Sequence, residues 1–434
     1  MNKFMEFLEH RVSPIAEKIE KQRHISTIKN AMISLITVLL VGSISLIVGG
    51  LAGLFPQGSA VANWVAENGA LLNLPFTFTF GLLTVYATIS IAFYHSKALD
   101  IAPLHPMFAA MAFVLVLCVK FDGGALDIQF LDSRGLFVAI FGGIFAVEFI
   151  SFCFKHNLTL RIPGLPDMIG KTFESIFPVL FIILIGMGIN SLCGLYQEGI
   201  ILPELLTKIL APAVTGIDSM QGVFLISLIE MIFWFLGLNG YAILIGFTLP
   251  FMTHYLAANA ANYAAGLPLE FIFTEQWWGY FLACTGSGIT GAIAILGLFS
   301  KSKQLKAAGK ASIIPAMFNI SEPVVYGFPV AFNPYFFIPF VFGTPILGAI
   351  TWKIFDLGWV AKPMAAVGGV PTPICQYLIT MDWKAAVLAI LIIAIAILMY
   401  YPFFKLYEKS VLAQENESEY SGETDFDEEF DFEL

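Results

Sequence analysis

Residues 313–342 read IIPAMFNISEPVVYGFPVAFNPYFFIPFVF, an apolar run that holds a single carboxylate, Glu322, and several prolines, among them Pro315, Pro323, Pro329 and Pro334. Inside hydrocarbon every backbone N–H and C=O must be paired, so a segment broken this often is tolerated only where protein or a water-filled cavity surrounds it. A charged residue at such a depth is costly and marks a functional site by default. We therefore predict a re-entrant hairpin whose turn near Ser321-Glu322-Pro323 exposes backbone amides and one carboxylate.

The composition around this stretch is that of an integral membrane protein. Of the 434 residues, 58% are hydrophobic and 12% are charged, and the mean hydropathy is +0.81, far from the values of soluble domains. Apolar windows long enough to cross about 30 Å of hydrocarbon recur along the chain. They lie at residues 27–50, 76–94, 103–119, 135–154, 173–194, 220–238, 241–258, 276–299, 334–352 and 385–406. The predicted fold class is an all-α integral membrane protein with about ten transmembrane helices plus re-entrant hairpins, in two bundles joined by an amphipathic helix.

The chain divides by composition into four regions. Residues 1–194 combine a basic amphipathic segment over residues 1–26 with five of the apolar windows, and we predict that they form the first bundle. Residues 195–219 are too polar to cross lipid and are predicted to form the amphipathic linker. Residues 220–410 concentrate polar residues, glycines and prolines, so the chemistry is expected there. Residues 411–434 form an acidic tail that we predict to be disordered.

The distribution of basic residues predicts the orientation in the membrane. Lysine and arginine accumulate on the cytoplasmic side, which places the basic N-terminal segment inside and, after an even number of spans, the C-terminus inside as well. The other basic clusters then also lie inside; their members are Lys155, Arg161, Lys171, Lys301, Lys303, Lys306 and Lys310. The acidic loops around Asp122 and Asp132 and the Glu275 region are predicted to lie outside.

Two further stretches carry polar or irregular features. Between Glu230 and Gly240, Trp234 offers a broad apolar face suited to a pyranose ring, and Asn239 stands between glycines that let a ligand approach. The alternative is that Trp234 is packing and Asn239 makes a hydrogen bond between helices. The stretch 363–377, rich in glycine and proline, is a candidate for a second hairpin.

The sequence contains no pattern typical of soluble catalysis. Nucleotide-binding, metalloprotease and nucleophile-elbow motifs are absent from it. The histidines show no metal-ligand spacing, and the cysteines stand singly in apolar segments, where we interpret them as packing residues. We expect no metal, no cofactor and no nucleic-acid partner.

Four collinear motifs resemble a known family. Residues 319–329, NISEPVVYGFP, together with Asn333-Pro334, look like the signature of enzyme IIC (EIIC), the membrane subunit of the phosphoenolpyruvate-dependent sugar phosphotransferase system, in its lactose/cellobiose family. The stretches that begin at Phe233 (FWFLGLNG), Val370 (VPTP) and Tyr401 (YPFFK) match the same pattern. The resemblance extends over nearly the whole chain.

The resemblance implies a homodimeric permease of the bacterial plasma membrane. The first bundle would dimerise, and the second would carry a cellobiose-like disaccharide inward by an elevator-type motion. A separate enzyme IIB (EIIB), charged through enzyme IIA (EIIA) and the phosphocarrier protein HPr, would then phosphorylate its 6-hydroxyl. By position, Glu322 would be the catalytic residue, holding the sugar and accepting the hydroxyl proton. The implied substrate-binding residues are Glu322, Asn239, Trp234, Asn319 and Asn333.

One residue departs from the family pattern. Asn239 stands where the family commonly has histidine, and an amide forms hydrogen bonds but carries no proton. The catalytic contribution of this position and the identity of the sugar therefore stay open. No polar region resembles EIIB or EIIA, so we expect a partner to bring the phosphate. Two alternatives remain: a proton-coupled secondary transporter that uses Glu322, and a sugar sensor that does not transport.

Overall fold

A computed structural model describes residues 22–52, 55–56, 58–122, 125–162 and 166–421. Most of the predicted N-terminal amphipathic segment, residues 1–26, lies outside the described residues. The helices up to the linker are α1 (Arg23–Ser34), α2 (Ile36–Ala52), α3 (Ala60–Glu67), α4 (Gly69–Leu72), α5 (Leu74–Thr79), α6 (Leu83–Ala98), α7 (Leu104–Cys118), α8 (Leu136–Lys155), α9 (Asp167–Tyr196) and α10 (Leu202–Ile217). Between α7 and α8, strands β1 (Lys120–Asp122) and β2 (Ala125–Asp127) pair antiparallel.

The second half of the chain contains shorter and more broken helices. They are α11 (Met220–Phe235), α12 (Gly240–Ala264), α13 (Glu275–Trp277), α14 (Gly291–Leu298), α15 (Lys303–Met317), α16 (Glu322–Gly327), α17 (Thr344–Asp356), α18 (Ile374–Thr380) and α19 (Trp383–Ser421). Wide π-helical turns follow α13 at Trp278–Leu282 and precede α17 at Ile338–Gly343. Such turns occur frequently at functional sites.

The helices confirm the predicted fold class. In the described part of the chain, seven helical stretches are long and apolar enough to cross a membrane, and two bent pairs raise the number to nine. The bent pairs are α10 with α11, at 69°, and α13 with α14, at 51°. Helix α7 is apolar but shorter. Every predicted apolar window coincides with one of these segments.

The helices pack in two groups. Helices α6, α7, α8 and α9 pack on one another and form the first group. In the second group, α11 packs on α12 and α17, and α14 packs on α15 and α19; the π-helical turn Ile338–Gly343 contacts both α11 and α19. Helix α1 packs against both groups, through α6 on one side and α12 on the other. The predicted linker contains α10, whose Glu204 carboxylate accepts a hydrogen bond from the Ile201 N–H at 3.0 Å and so occupies one of the free donors at the helix start.

The predicted hairpin around Glu322 is present. Helix α15 ends at Met317, and Asn319, with φ of 63°, turns the chain back. Helix α16 then runs beside α15. The Ser312 hydroxyl of α15 donates to the Pro323 carbonyl of α16 at 3.1 Å and links the two helices. A Cβ atom on Gly327 would lie 3.6 Å from the same hydroxyl.

A second break was not predicted. The window 276–299 was expected to be one span, but the chain leaves helical geometry between α13 and α14, where Gly286 and Gly288 have φ of 106° and 78°. At such φ values glycine avoids the steric cost that a side chain would bring. Gly288 also lies against the Phe340 ring, where a Cβ atom would clash. Two broken elements therefore meet in this half of the protein.

The stretch 363–377 is an extended segment followed by α18 rather than a pair of helices. Its backbone groups are paired by other elements: Ala366 N–H donates to the Ser43 hydroxyl at 2.7 Å, and Val367 N–H donates to the Gln276 amide oxygen at 3.1 Å. Side chains thus supply the hydrogen-bond partners that a helix would supply internally. Irregular backbone inside a membrane protein requires such partners.

The predicted start of the disordered tail at residue 411 is wrong. Helix α19 continues to Ser421, and Glu415 accepts a hydrogen bond from the Ser302 hydroxyl at 2.7 Å. Two turns earlier in this helix, Glu408 accepts from the Ser300 hydroxyl at 2.6 Å. These contacts with the start of α15 extend the helix beyond the apolar window. Residues 422–434 lie outside the described residues.

Candidate functional site

A cavity of about 340 Å³ lies where the two broken elements face the junction of α11 and α12. Its walls come from the end of α11, the start of α12, the irregular turn after α13 and the tip of the α15–α16 hairpin. The volume is within the usual range for small-molecule sites, which runs from about 300 to 1,000 Å³. Four of the five predicted substrate-binding residues line this cavity: Trp234, Asn239, Asn319 and Glu322.

Glu322 begins α16 at the hairpin tip and is exposed. The break at Asn319 ends α15 just before it, so the carboxylate stands on a turn and not on the side of a long helix. Among the described residues, none donates a hydrogen bond to this carboxylate. Both oxygens are therefore available to accept hydrogen bonds from a ligand.

Asn239 caps the start of α12. Its Oδ1 accepts from the Ala242 N–H at 2.9 Å, which leaves the Nδ2 group of this exposed side chain as a donor. The flanking glycines are required by geometry: Gly237 has φ of 73°, and a Cβ atom on Gly240 would clash with the Glu230 carbonyl. The turn thus presents an amide to the cavity at a point where backbones come close.

Asn319 ties the hairpin tip to the second broken element. Its Oδ1 accepts from the Thr285 N–H at 2.8 Å, and its Nδ2 donates to the Gly279 carbonyl at 2.6 Å. Because both ends of the amide are used by backbone groups, the main effect of Asn319 is to fix the distance between the two tips. It shapes the cavity through these protein contacts.

Trp234 is deeply placed in the cavity wall, with only 2% of its surface exposed. Its indole Nε1 makes no hydrogen bond within the described part of the protein, although the Glu230 carboxylate lies close enough to attract it. Because Trp234 is almost fully buried, broad stacking on a sugar face is limited at this residue.

Asn333 does not reach the cavity. It is 9% exposed, and its Oδ1 accepts from the Tyr335 N–H at 3.1 Å, where it stabilises the turn before α17. The structure therefore separates Asn333 from the other four predicted residues.

Several cavity groups were not singled out from the sequence. Glu275 was expected in an outside loop, but it lines the cavity, where the Tyr241 hydroxyl donates to it at 3.4 Å. Trp278 and Ser287 also line it, and both donate to Glu230, at 2.6 Å and 3.3 Å. Glu230 is fully buried and does not itself line the cavity. For Glu230 the sequence holds one clue. Glu230 and Trp234 are four residues apart, so they lie on the same face of α11.

Comparisons with known proteins agree on one family. A family profile described as "Phosphotransferase system, EIIC" matches residues 29–344. The lichenan permease IIC component of Bacillus subtilis (strain 168) is 29% identical, with 96% of this chain and 97% of that protein covered. The cellobiose-specific EIIC component of Geobacillus stearothermophilus is also 29% identical, with 96% of both chains covered.

A solved structure is similar over the same length. The transporter ChbC, the IIC component of an N,N'-diacetylchitobiose-specific phosphotransferase system, superposes with a TM-score of 0.83 at 25% identity, covering 94% of this chain and 99% of ChbC.

Proposed function

Because the chain belongs to the EIIC family of the phosphotransferase system and is a multi-pass membrane sugar permease of its lactose/cellobiose type, we propose that it binds a disaccharide beside Glu322 and presents it for phosphorylation. The observation that carries this proposal is the unpaired Glu322 carboxylate, which shares one cavity with the free amide donor of Asn239. A carboxylate and an amide donor are suited to sugar hydroxyls.

Glu322 has two roles in this proposal. In the ground state its oxygens accept hydrogen bonds from sugar hydroxyls. During transfer the 6-hydroxyl oxygen attacks the phosphorus of a phosphocysteine on EIIB, the P–S bond breaks, and the cysteine leaves as a thiolate. The hydroxyl proton goes to the Glu322 carboxylate, which acts as general base.

The neighbouring residues position the sugar. Asn239 donates to a hydroxyl through Nδ2, and Trp234 forms part of the cavity wall beside it. Asn319 holds the two tips at a fixed separation. We leave Asn333 out of the site, because its amide serves the turn before α17.

The domain organisation supports an elevator-type movement. Residues 1–194 are proposed as the scaffold and dimerisation domain, residues 195–219 as the linker, and residues 220–410 as the domain that moves with the sugar. Helix α10 of the linker and helix α11 of the moving domain meet at an angle of 69°. We place the hinge of the movement at this bend. Both termini lie in the cytoplasm in this proposal, where EIIB, supplied by EIIA and HPr, reaches the sugar.

The names of two relatives support a proposal for the substrate class. Proteins named for lichenan and cellobiose match along nearly their whole length, and both names refer to β-linked glucose. We therefore propose a β-linked glucose disaccharide, with cellobiose as the first compound to test.

The test is uptake of radiolabelled cellobiose into proteoliposomes that contain the full chain. We expect sugar phosphate to accumulate only when EIIB, EIIA, HPr, enzyme I and phosphoenolpyruvate are supplied. Glu322→Gln should abolish accumulation, while Asn333→Ala, an amide removed from outside the cavity, should retain it. Accumulation of free sugar driven by a proton gradient would contradict the proposal, as would binding without counterflow or phosphorylation.

A further inference from the structure

A second cluster of ligand-type side chains lies outside the lining of the sugar cavity. His24 stands in the first turn of α1, His95 in the last turn of α6, and Glu148 in the second half of α8. Their separation in sequence gives no metal-binding spacing, which is why the sequence predicted no such site. The fold brings the three helices together at this one point.

The three side chains have donor atoms at distances suited to one metal ion. His95 Nε2 is 3.1 Å and His24 Nε2 is 3.4 Å from Glu148 Oε1. One donor atom from each residue lies within 4.8 Å of the other two. A tetrahedral zinc site with bonds of about 2.0–2.1 Å has ligand atoms roughly 3.3 Å apart, so small side-chain movements complete the geometry.

Burial and hydrogen bonding prepare the central histidine. His95 has no exposed surface, and its Nδ1 lies 3.1 Å from the hydroxyl of Thr27, which is itself buried. When that hydroxyl accepts from Nδ1–H, the lone pair of Nε2 points toward Glu148. Metal-binding histidines have such a partner on the second nitrogen almost without exception, and it fixes the tautomer.

Arg23 is the group that competes for this position. Its guanidinium Nη2 is 2.7 Å from the same Glu148 oxygen, and its side chain is 43% exposed. The exposed Arg23 can turn outward when a cation arrives. Gln22, which is also exposed and whose amide donates to His24 Nδ1 at 2.9 Å, can turn with it. The guanidinium therefore weakens cation binding without blocking access.

We propose that His24, His95 and Glu148 form a binding site for a borderline divalent transition-metal ion such as Zn²⁺. Two imidazoles and one carboxylate are a ligand set that zinc accepts, with a fourth position left open. A bound ion would join α1 to α6 and α8. Since α1 also packs against α12, where a Cβ atom on Gly246 would lie 2.8 Å from Ile25 Cγ2, the ion would fix the helix that lies between the two groups.

The test is titration of the purified full chain, without a histidine tag, with Co²⁺, which reports tetrahedral coordination by strong visible absorption. We expect saturable binding, competition by Zn²⁺ and a rise in melting temperature with either metal. His24→Ala, on the exposed side of the cluster, should lose the absorption. His156→Ala, an exposed histidine at the end of α8 outside the cluster, should keep it.

Two further variants distinguish a metal site from an ion-pair cluster. Thr27→Val should weaken binding by roughly 10- to 100-fold, the usual effect of removing an outer partner of a ligand histidine, and Arg23→Gln should strengthen it. If His24→Ala does not purify, Glu148→Gln provides the same test. Absence of tetrahedral Co²⁺ absorption in the wild type, or its persistence in the ligand variants, overturns the proposal.

Discussion

Replacing Asn319 with alanine tests whether the clamp between the two broken elements maintains the sugar cavity. The change removes the acceptor for the Thr285 N–H and the donor to the Gly279 carbonyl, at 2.8 Å and 2.6 Å. It also leaves alanine at a φ of 63°, a conformation that asparagine tolerates better. No other described side chain makes these two contacts.

The magnitude follows from the groups left behind. Thr285 is 5% exposed, and a buried N–H without a partner costs about 1–3 kcal/mol. The lost bond to Gly279 adds about 1 kcal/mol, and the left-handed backbone adds roughly 1 kcal/mol. The total of about 3–5 kcal/mol disfavours the arrangement of the hairpin tips that binds sugar. Because each 1.4 kcal/mol is a factor of ten, we expect sugar affinity to fall by about 100-fold to several thousand-fold.

The assay pairs sugar titration calorimetry with thermal unfolding in detergent. Asn333→Ala is the matched control, because it removes the same amide from a turn outside the cavity and loses a single local hydrogen bond of 3.1 Å. We expect Asn333→Ala to retain wild-type affinity. Asn319→Ala should lose affinity while its helices still form, as circular dichroism would report.

Wild-type sugar affinity and melting temperature in Asn319→Ala would refute this reasoning. That result would mean that other contacts hold the tips together, and that the amide is incidental to the shape of the cavity.

Three further predictions concern the cavity wall. Glu322→Gln should weaken sugar binding by about 10- to 100-fold, the effect of losing a hydrogen bond to a charged group, and should leave the melting temperature unchanged; equal affinity by calorimetry would contradict the assignment. Asn239→His should keep sugar binding and raise the rate of sugar phosphate formation with EIIB, and loss of binding would show that the amide geometry is essential. Gly240→Ala, whose Cβ atom would clash with the Glu230 carbonyl, should lower stability by about 1–3 kcal/mol, whereas Gly188→Ala, with open space around its Cβ position, should be neutral in the same unfolding assay.

The break between α13 and α14 shows where sequence reasoning stopped. The window 276–299 is apolar enough to be one span, and its small residues, Gly286 and Gly288 among them, are compatible with an intact helix. The Phe340 ring that packs against Gly288 comes from a part of the chain outside this window. The window alone therefore does not indicate the break. The sequence is more informative around Glu322, because each of the closely spaced prolines there removes a backbone donor and disfavours a continuous helix.

The sequence by itself determined the membrane-spanning helices, the hairpin that carries Glu322 and the family, because hydrocarbon imposes length, apolar character and backbone pairing on each segment separately. Tertiary structure alone decided which side chains meet. It brought Glu275 to the cavity, took Asn333 away from it, used both ends of the Asn319 amide for backbone contacts, and gathered the His24 cluster from three helices. Such contacts depend on how elements distant in sequence pack, and no local property of the chain specifies them.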